Sequence, residues 1–322
     1  MIWKDLRSVE NKMIEVNIKC PHCGHQFIAR GEPSEKISVT CPKCKTRGTF
    51  TFPVGGCDPT KMECFTEQTD LRFRKLRQFN LIMGFVHAIQ GIAIVYLSNS
   101  FTLPITYSYP FFNSTTNSIG PVTHTLIDVR IGPLVALFLF ISAVAHFLLS
   151  TILYPWYVEK LKTHINPARW YEYSFSASLM IVIIAMLTSI YDVGTLLALF
   201  TLTGVMNLMG LMMELHNQTT KKTNWTSYII GCIAGIIPWV VIFISLIGAV
   251  TTSGGRVPDF VIAIYVSIAF FFNLFAVNMI LQYKKIWRWR EYLYGERAYI
   301  ILSLVAKSAL AWQVFAGTLR PM

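Results

Sequence analysis

The sequence predicts an all-α integral membrane protein, a bundle of seven transmembrane helices preceded by a small cysteine-bearing unit. Three observations lead there. Of 322 residues, 53% are hydrophobic and only 14% charged, which is too apolar for a soluble domain of this size. Seven apolar stretches beyond residue 77 are each long enough to cross a bilayer. Two CPxC motifs lie within the first fifty residues.

The amino-terminal segment MIWKDLRSVENKMIEVN has no continuous apolar core, so no cleavable signal is expected. Residues 18–52 hold two similar halves, IKCPHCGHQF and VTCPKCKTRGTFTF, each read as a CPxC turn followed by a strand-like run. Cys20 and Cys23, then Cys41 and Cys44, can bring four thiolates to the corners of a tetrahedron, which is what a structural Zn2+ requires. Paired dithiols or disulfides are the competing reading, but a redox CxxC needs a βαβ context that so short a unit cannot supply. A core this small cannot sustain itself, so the metal would provide most of its folding free energy. The reading therefore divides the chain into a leader at 1–17, a four-cysteine zinc ribbon at 18–52, a basic linker at 53–77 and a membrane domain at 78–322. Cys57 and Cys64, in the linker, are spare thiols.

The spans are placed at about 78–98, 131–154, 168–190, 195–215, 226–250, 258–282 and 298–319. An odd number of spans puts the termini on opposite sides. Fourteen Lys and Arg fall on the side of the N-terminus, in groups at 72–77, 160–169, 221–222 and 284–297. Only Arg130, Arg256 and Arg320 fall on the other. That asymmetry predicts a cytoplasmic N-terminus and an outer C-terminus in a multi-pass cell-membrane protein. It also accounts for the net charge of +11 without nucleic acid. The long first outer connection, rich in Thr, Tyr and Ser and broken by Pro and Gly, predicts a β-hairpin cap.

Ionisable side chains inside the spans are rare and therefore suspect: Lys307, Glu172, His87 and His146. Counting about 1.5 Å per residue from the cytoplasmic ends puts all four in the same half of the bilayer. Gln90, Ser142 and Ser303 share helix faces with His87, His146 and Lys307 respectively. Glu172 is read as the only carboxylate within a span. A structural ion pair between Lys307 and Glu172 is the plain reading of the cluster. A desolvated lysine is also a competent amine nucleophile toward a carbonyl, and the resulting protonated imine would need an anion such as Glu172 beside it.

The runs ARWYEYSFSASLM at 168–180 and SLVAKSALAWQVFAG at 303–317 resemble the heliorhodopsin family. The resemblance covers roughly residues 78–320 and implies a rhodopsin-like bundle of inverted topology. It implies that Lys307 binds all-trans retinal as a protonated Schiff base with Glu172 as counterion. It further implies a polar cavity of His87, Gln90, Ser142 and His146, a hydrogen-bonding rim of Asn166, Tyr173 and Ser303, and support of Glu172 by Arg169. Trp239, Phe272, Met206 and Met209 are available to line the polyene pocket, although ordinary packing explains each as well. The expected function is a light sensor rather than an enzyme, signalling through the cytoplasmic face and the ribbon. The alternative is a light-driven proton transporter; the resemblance to microbial rhodopsins implies that such a pump carries a second carboxylate about three turns after the counterion, where Val182 and Ile183 stand here. A pigmentless transporter or receptor gated by the Lys307–Glu172 pair is the third reading. Expected partners are membrane lipid and a cytoplasmic protein at the ribbon, and the resemblance implies a second copy of the chain in a homodimer. Lys43, Lys45 and Arg47 are too few to favour nucleic acid there.

Overall fold

The computed structural model describes residues 14–20, 23–32, 35–52, 63–252 and 257–319. Cys57, Arg256, Arg320 and most of the expected leader lie outside them, as does the side chain of Cys64. The chain separates into two compact units, at Lys75/Leu76.

The first unit is built from two β-hairpins. β1 (Ile14–Lys19) pairs antiparallel with β2 (Gln26–Gly31), and β3 (Lys36–Thr40) with β4 (Arg47–Thr51). Each CPxC motif therefore turns between two strands instead of merely preceding one. The two turns share one hydrogen-bond pattern: Cys20 N–H donates to His25 O and Gly24 N–H to Cys20 O, just as Cys41 N–H donates to Thr46 O and Lys45 N–H to Cys41 O. Gly24 and Lys45 both adopt left-handed φ, 70° and 59°, at the same point of the turn. Glycine takes that conformation freely and lysine does not. Phe52 closes the unit by lying over Gly31, where a Cβ would stand 2.1 Å from its ring.

Among the described residues seven helices are long and apolar enough to span a membrane, and from Leu76 onward they make up the second unit. They are α1 (Glu63–Leu97, spanning from Leu71), α2 (Ile131–Ser150), α4 (Pro167–Leu187), α5 (Val193–His216), α6 (Thr226–Thr252), α7 (Asp259–Tyr283) and α8 (Tyr292–Val314, continued by a π-turn to Leu319). A short helix, α3 (Tyr154–Lys162), and a single 3-10 turn at Trp287–Arg290 lie between spans. α2 stops at Ser150, and Pro155 at the start of α3 begins a new helix where the sequence suggested a longer span. α8 begins six residues before the expected start of the seventh span, which draws Glu296 and Arg297 into the helix.

Local chemistry sets the helix starts. The Asn166 side chain caps α4 by accepting from Arg169 N–H, with Pro167 at the first helical position. Asp192 caps α5 through Thr195 N–H at 2.8 Å. The expected hairpin between the first two spans is present as β5 (Thr102–Asn113) and β6 (Ser118–Arg130), with a bulge at Ile105/Thr106. Thr106 N–H donates to Tyr191 O in the α4–α5 turn, which ties the hairpin to the bundle. α4 is the most enclosed helix and α7 the least, and the apolar core gathers Val135, Phe138, Met180, Ile183, Ile184 and Leu310 around it. Glu172 lies on this most enclosed helix, and Lys307 on α8 is itself buried.

Candidate functional site

Lys307 on α8 and Glu172 on α4 meet directly. Lys307 Nζ donates to Glu172 Oε1 at 2.7 Å and to Ser303 Oγ, one turn earlier on α8, at 3.0 Å. Ser142 on α2 donates to the same carboxylate oxygen at 2.7 Å. All four side chains are buried or nearly so. The lysine also faces the Tyr173 ring at 5.1 Å, and Tyr173 holds its own position by donating to Tyr299 O. Burial of a lone ammonium would be very costly, and here a carboxylate, a hydroxyl and an aromatic face offset that cost.

His87 and His146 stack with ring centroids 5.6 Å apart. Asn80, which the sequence reading missed, orients the second ring. Its Nδ2 donates to Leu76 O, which turns Oδ1 toward His146 Nδ1 at 2.8 Å and makes that nitrogen the donor. His87 is fully buried, and neither ring nitrogen meets a hydrogen-bond partner among the described residues. Asn80 lies seven residues before His87, two turns back on the same face of α1, and that spacing was the signal available.

Three expectations need correcting. Gln90 does not join this cluster; it is half-buried and accepts from Trp312 Nε1 at 3.0 Å. Arg169 does not hold Glu172: its two terminal nitrogens donate to Glu214 on α5 and Glu296 on α8, and the guanidinium lies over the Trp170 and Tyr299 rings. Glu172 is therefore not the only buried carboxylate in a span, since Glu214 and Glu296 are 3% and 1% exposed. Asn166 joins this second cluster, giving its backbone N–H to Glu214 and its side-chain amide to Glu296. The two clusters border one cavity, lined by Asn166, Arg169, Glu172, Glu296 and Ser303 among others.

On its other side Lys307 borders a narrow apolar cavity with Tyr173, Met206, Asn207, Phe272 and Phe275. Those five neighbours also wall a chamber of about 420 Å3 between α5, α6 and α7, which Trp239 and Tyr265 line as well. Trp239 packs edge-on against Phe272 at 5.3 Å. Glycines make the room: a Cβ on Gly235 would stand 2.3 Å from Met206 Sδ. Met209 is not in the wall but packs against Gly231. An elongated apolar ligand fits here with one end at the lysine, because the chamber is within the size range of small-molecule sites and the amine stands at its narrow end.

In the first unit the Sγ atoms of Cys20, Cys23, Cys41 and Cys44 all lie within 4.8 Å of one another. Cys20 to Cys44 is 3.6 Å and Cys23 to Cys41 is 3.7 Å. Those separations are far longer than a disulfide. They match the edge of about 3.8 Å that a tetrahedron with metal–sulfur bonds of about 2.3 Å would have. The hydroxyl of Thr46, 3.1 Å from Cys44 Sγ, and then its backbone N–H pull that thiol down to about 5. The cluster could hold a metal ion and is compatible with a zinc ribbon.

Seven membrane helices around a buried lysine, with a carboxylate from the third span on its nitrogen and an apolar chamber beside it, define a protein of the rhodopsin type. The sequence profile named Heliorhodopsin matches residues 76–319, most of the chain, and the chain belongs to the heliorhodopsin family. No curated protein matches it. Membership makes the chain a multi-pass membrane protein of the retinal photoreceptor type.

Proposed function

We propose that this protein is a light sensor that binds all-trans retinal on Lys307 and passes the light-driven change to the cytoplasm. The observation that carries the reading is the 2.7 Å contact between Lys307 Nζ and Glu172 Oε1 at the narrow end of an apolar chamber. Retinal, attached as a protonated Schiff base, would supply light absorption and a change of shape on illumination. The protein does the rest. Glu172 holds a negative charge against the lysine nitrogen, with Ser142 donating to that carboxylate and Ser303 accepting from Nζ. Met206, Phe272 and Trp239 give the chamber its apolar wall. His87, whose ring nitrogens meet no partner among the described residues, stacks on His146 beside the Lys307–Glu172 pair.

Purified protein given all-trans retinal should develop a visible band, and Lys307→Ala should abolish it. No band, or a band that survives the substitution, defeats the proposal. Against the transport alternative stand Val182 and Ile183, apolar residues packed in the core where an internal proton donor would be needed. Illuminated vesicles should show no sustained pH change.

The N-terminus is cytoplasmic and the C-terminus outside, on the strength of the charge asymmetry. A cysteine placed at Lys222 should be labelled by an impermeant reagent only after cells are opened; labelling of intact cells reverses the orientation. The ribbon carries Zn2+ and docks a cytoplasmic protein, and the membrane unit forms a homodimer surrounded by lipid. A pull-down with the full chain in dark and light, with Cys20→Ser as the control, tests the docking role. Equal capture by the variant refutes it.

A further inference from the structure

A separate cleft of about 300 Å3 opens between the α5–α6 and α7–α8 connections, on the loop side of the Arg169 cluster. Lys221 stands on one wall and Lys285 and Arg290 on the other. None of the three has an ion-pair partner among the described residues. Both walls are pinned. Asn217 accepts Asn224 N–H at 2.7 Å and the Thr220 hydroxyl at 3.0 Å, which fixes the first connection. Across the cleft, Trp289 Nε1 donates to Asn278 Oδ1 at 2.6 Å and Gln282 donates to Tyr292 O, which fixes the second. His164 and Lys285, both on the cleft, hold left-handed φ of 60° and 51°, as does Trp287 beside it at 50°. Non-glycine residues rarely sit there, and such positions gather at ligand clamps. The floor carboxylate, Glu214, is turned inward onto Arg169 and Asn166, so the rim remains cationic.

We propose that this cleft binds a phosphate-bearing anion. Three cations lining one cleft with pinned walls suit a multiply charged oxyanion better than a single carboxylate, since each phosphate offers several acceptor oxygens to separate donors. The Thr223 hydroxyl lies on the same wall as Lys221. A soluble phosphate and a phospholipid headgroup share this chemistry, and the cleft lies at the ends of membrane helices, where either could reach it. The proposal is independent of retinal.

The test uses the full chain in neutral-lipid nanodiscs, titrated with inorganic triphosphate by calorimetry at near-physiological salt. One variant, Lys221→Ala with Lys285→Ala and Arg290→Ala, empties the rim. Its control, Lys222→Ala with Lys284→Ala and Arg288→Ala, removes equal charge from the same connections without touching the cleft lining. The rim variant should weaken binding about tenfold or more while the control retains it. If triphosphate does not bind, native mass spectrometry of discs containing phosphatidic acid decides the lipid source: retained lipid should be lost in the rim variant only. Arg290→Gln, milder for folding, should show a partial loss in whichever assay responds. Failure of both ligands, or equal weakening in rim variant and control, overturns the proposal.

Discussion

Replacing Arg169 with methionine tests the second buried cluster, which reverses the role expected for that residue. The substitution keeps length and apolar stem but leaves Glu214 and Glu296, 3% and 1% exposed, facing one another without a cation. Breaking a buried ion pair from one side costs about 3–5 kcal/mol, chiefly because the remaining charge is stranded. Two stranded carboxylates, and a guanidinium withdrawn from the Trp170 and Tyr299 rings, place this case at the upper end of that range. The measurement is the unfolding free energy of the full chain in mixed micelles as denaturing detergent increases. Adding Glu214→Gln and Glu296→Gln to Arg169→Met should recover most of the loss, since the amides can be satisfied without a counter-charge. A loss below about 1 kcal/mol for the single substitution, or a triple variant no more stable than the single, refutes the reasoning. A shift of the visible band as large as that from Ser142→Ala, with stability intact, would instead return Arg169 to Glu172.

Glu172→Gln removes the charge 2.7 Å from Lys307 Nζ and should red-shift the retinal band, read by absorbance after reconstitution; an unmoved band denies Glu172 the countercharge role. Gly210→Ala should destabilise the membrane unit by about 1–3 kcal/mol, because the new methyl would stand 2.4 Å from the Trp170 ring and Tyr173 and Tyr299 hold that ring edge-on. Thermal melting in detergent measures it, and an unchanged transition shows that the indole can move. Metal analysis of the intact chain should find one zinc per molecule, lost in Cys41→Ser; unchanged zinc content in that variant removes the four-cysteine site.

What the residues reveal in advance depends on whether a signal is local. The four cysteines, the seven spans and the hairpin are each written in a short stretch, so spacing and hydropathy suffice to find them. Lys307 and Glu172 are legible for a different reason: a charge inside an apolar run is conspicuous wherever its partner lies. Arg169, Glu214 and Glu296 are harder, because each stands within a turn or two of a span end, where charges are ordinary and snorkelling is the default. Their pairing spans 45 and 127 positions and depends on α8 starting at Tyr292, which no local pattern marks. A count of buried charge could still have pointed there. An arginine at the capped start of the most enclosed helix cannot reach bulk water, and so needs carboxylates from the helices beside it. Those helices are α5 and α8, and each brings one glutamate to its end on that side. The same reasoning separates two charge layers in the bundle, a lysine with one carboxylate beside the chamber and an arginine with two nearer the loops. The cavity they share, lined by Asn166, Glu172 and Glu296, is where a rearrangement of the first would be felt by the second.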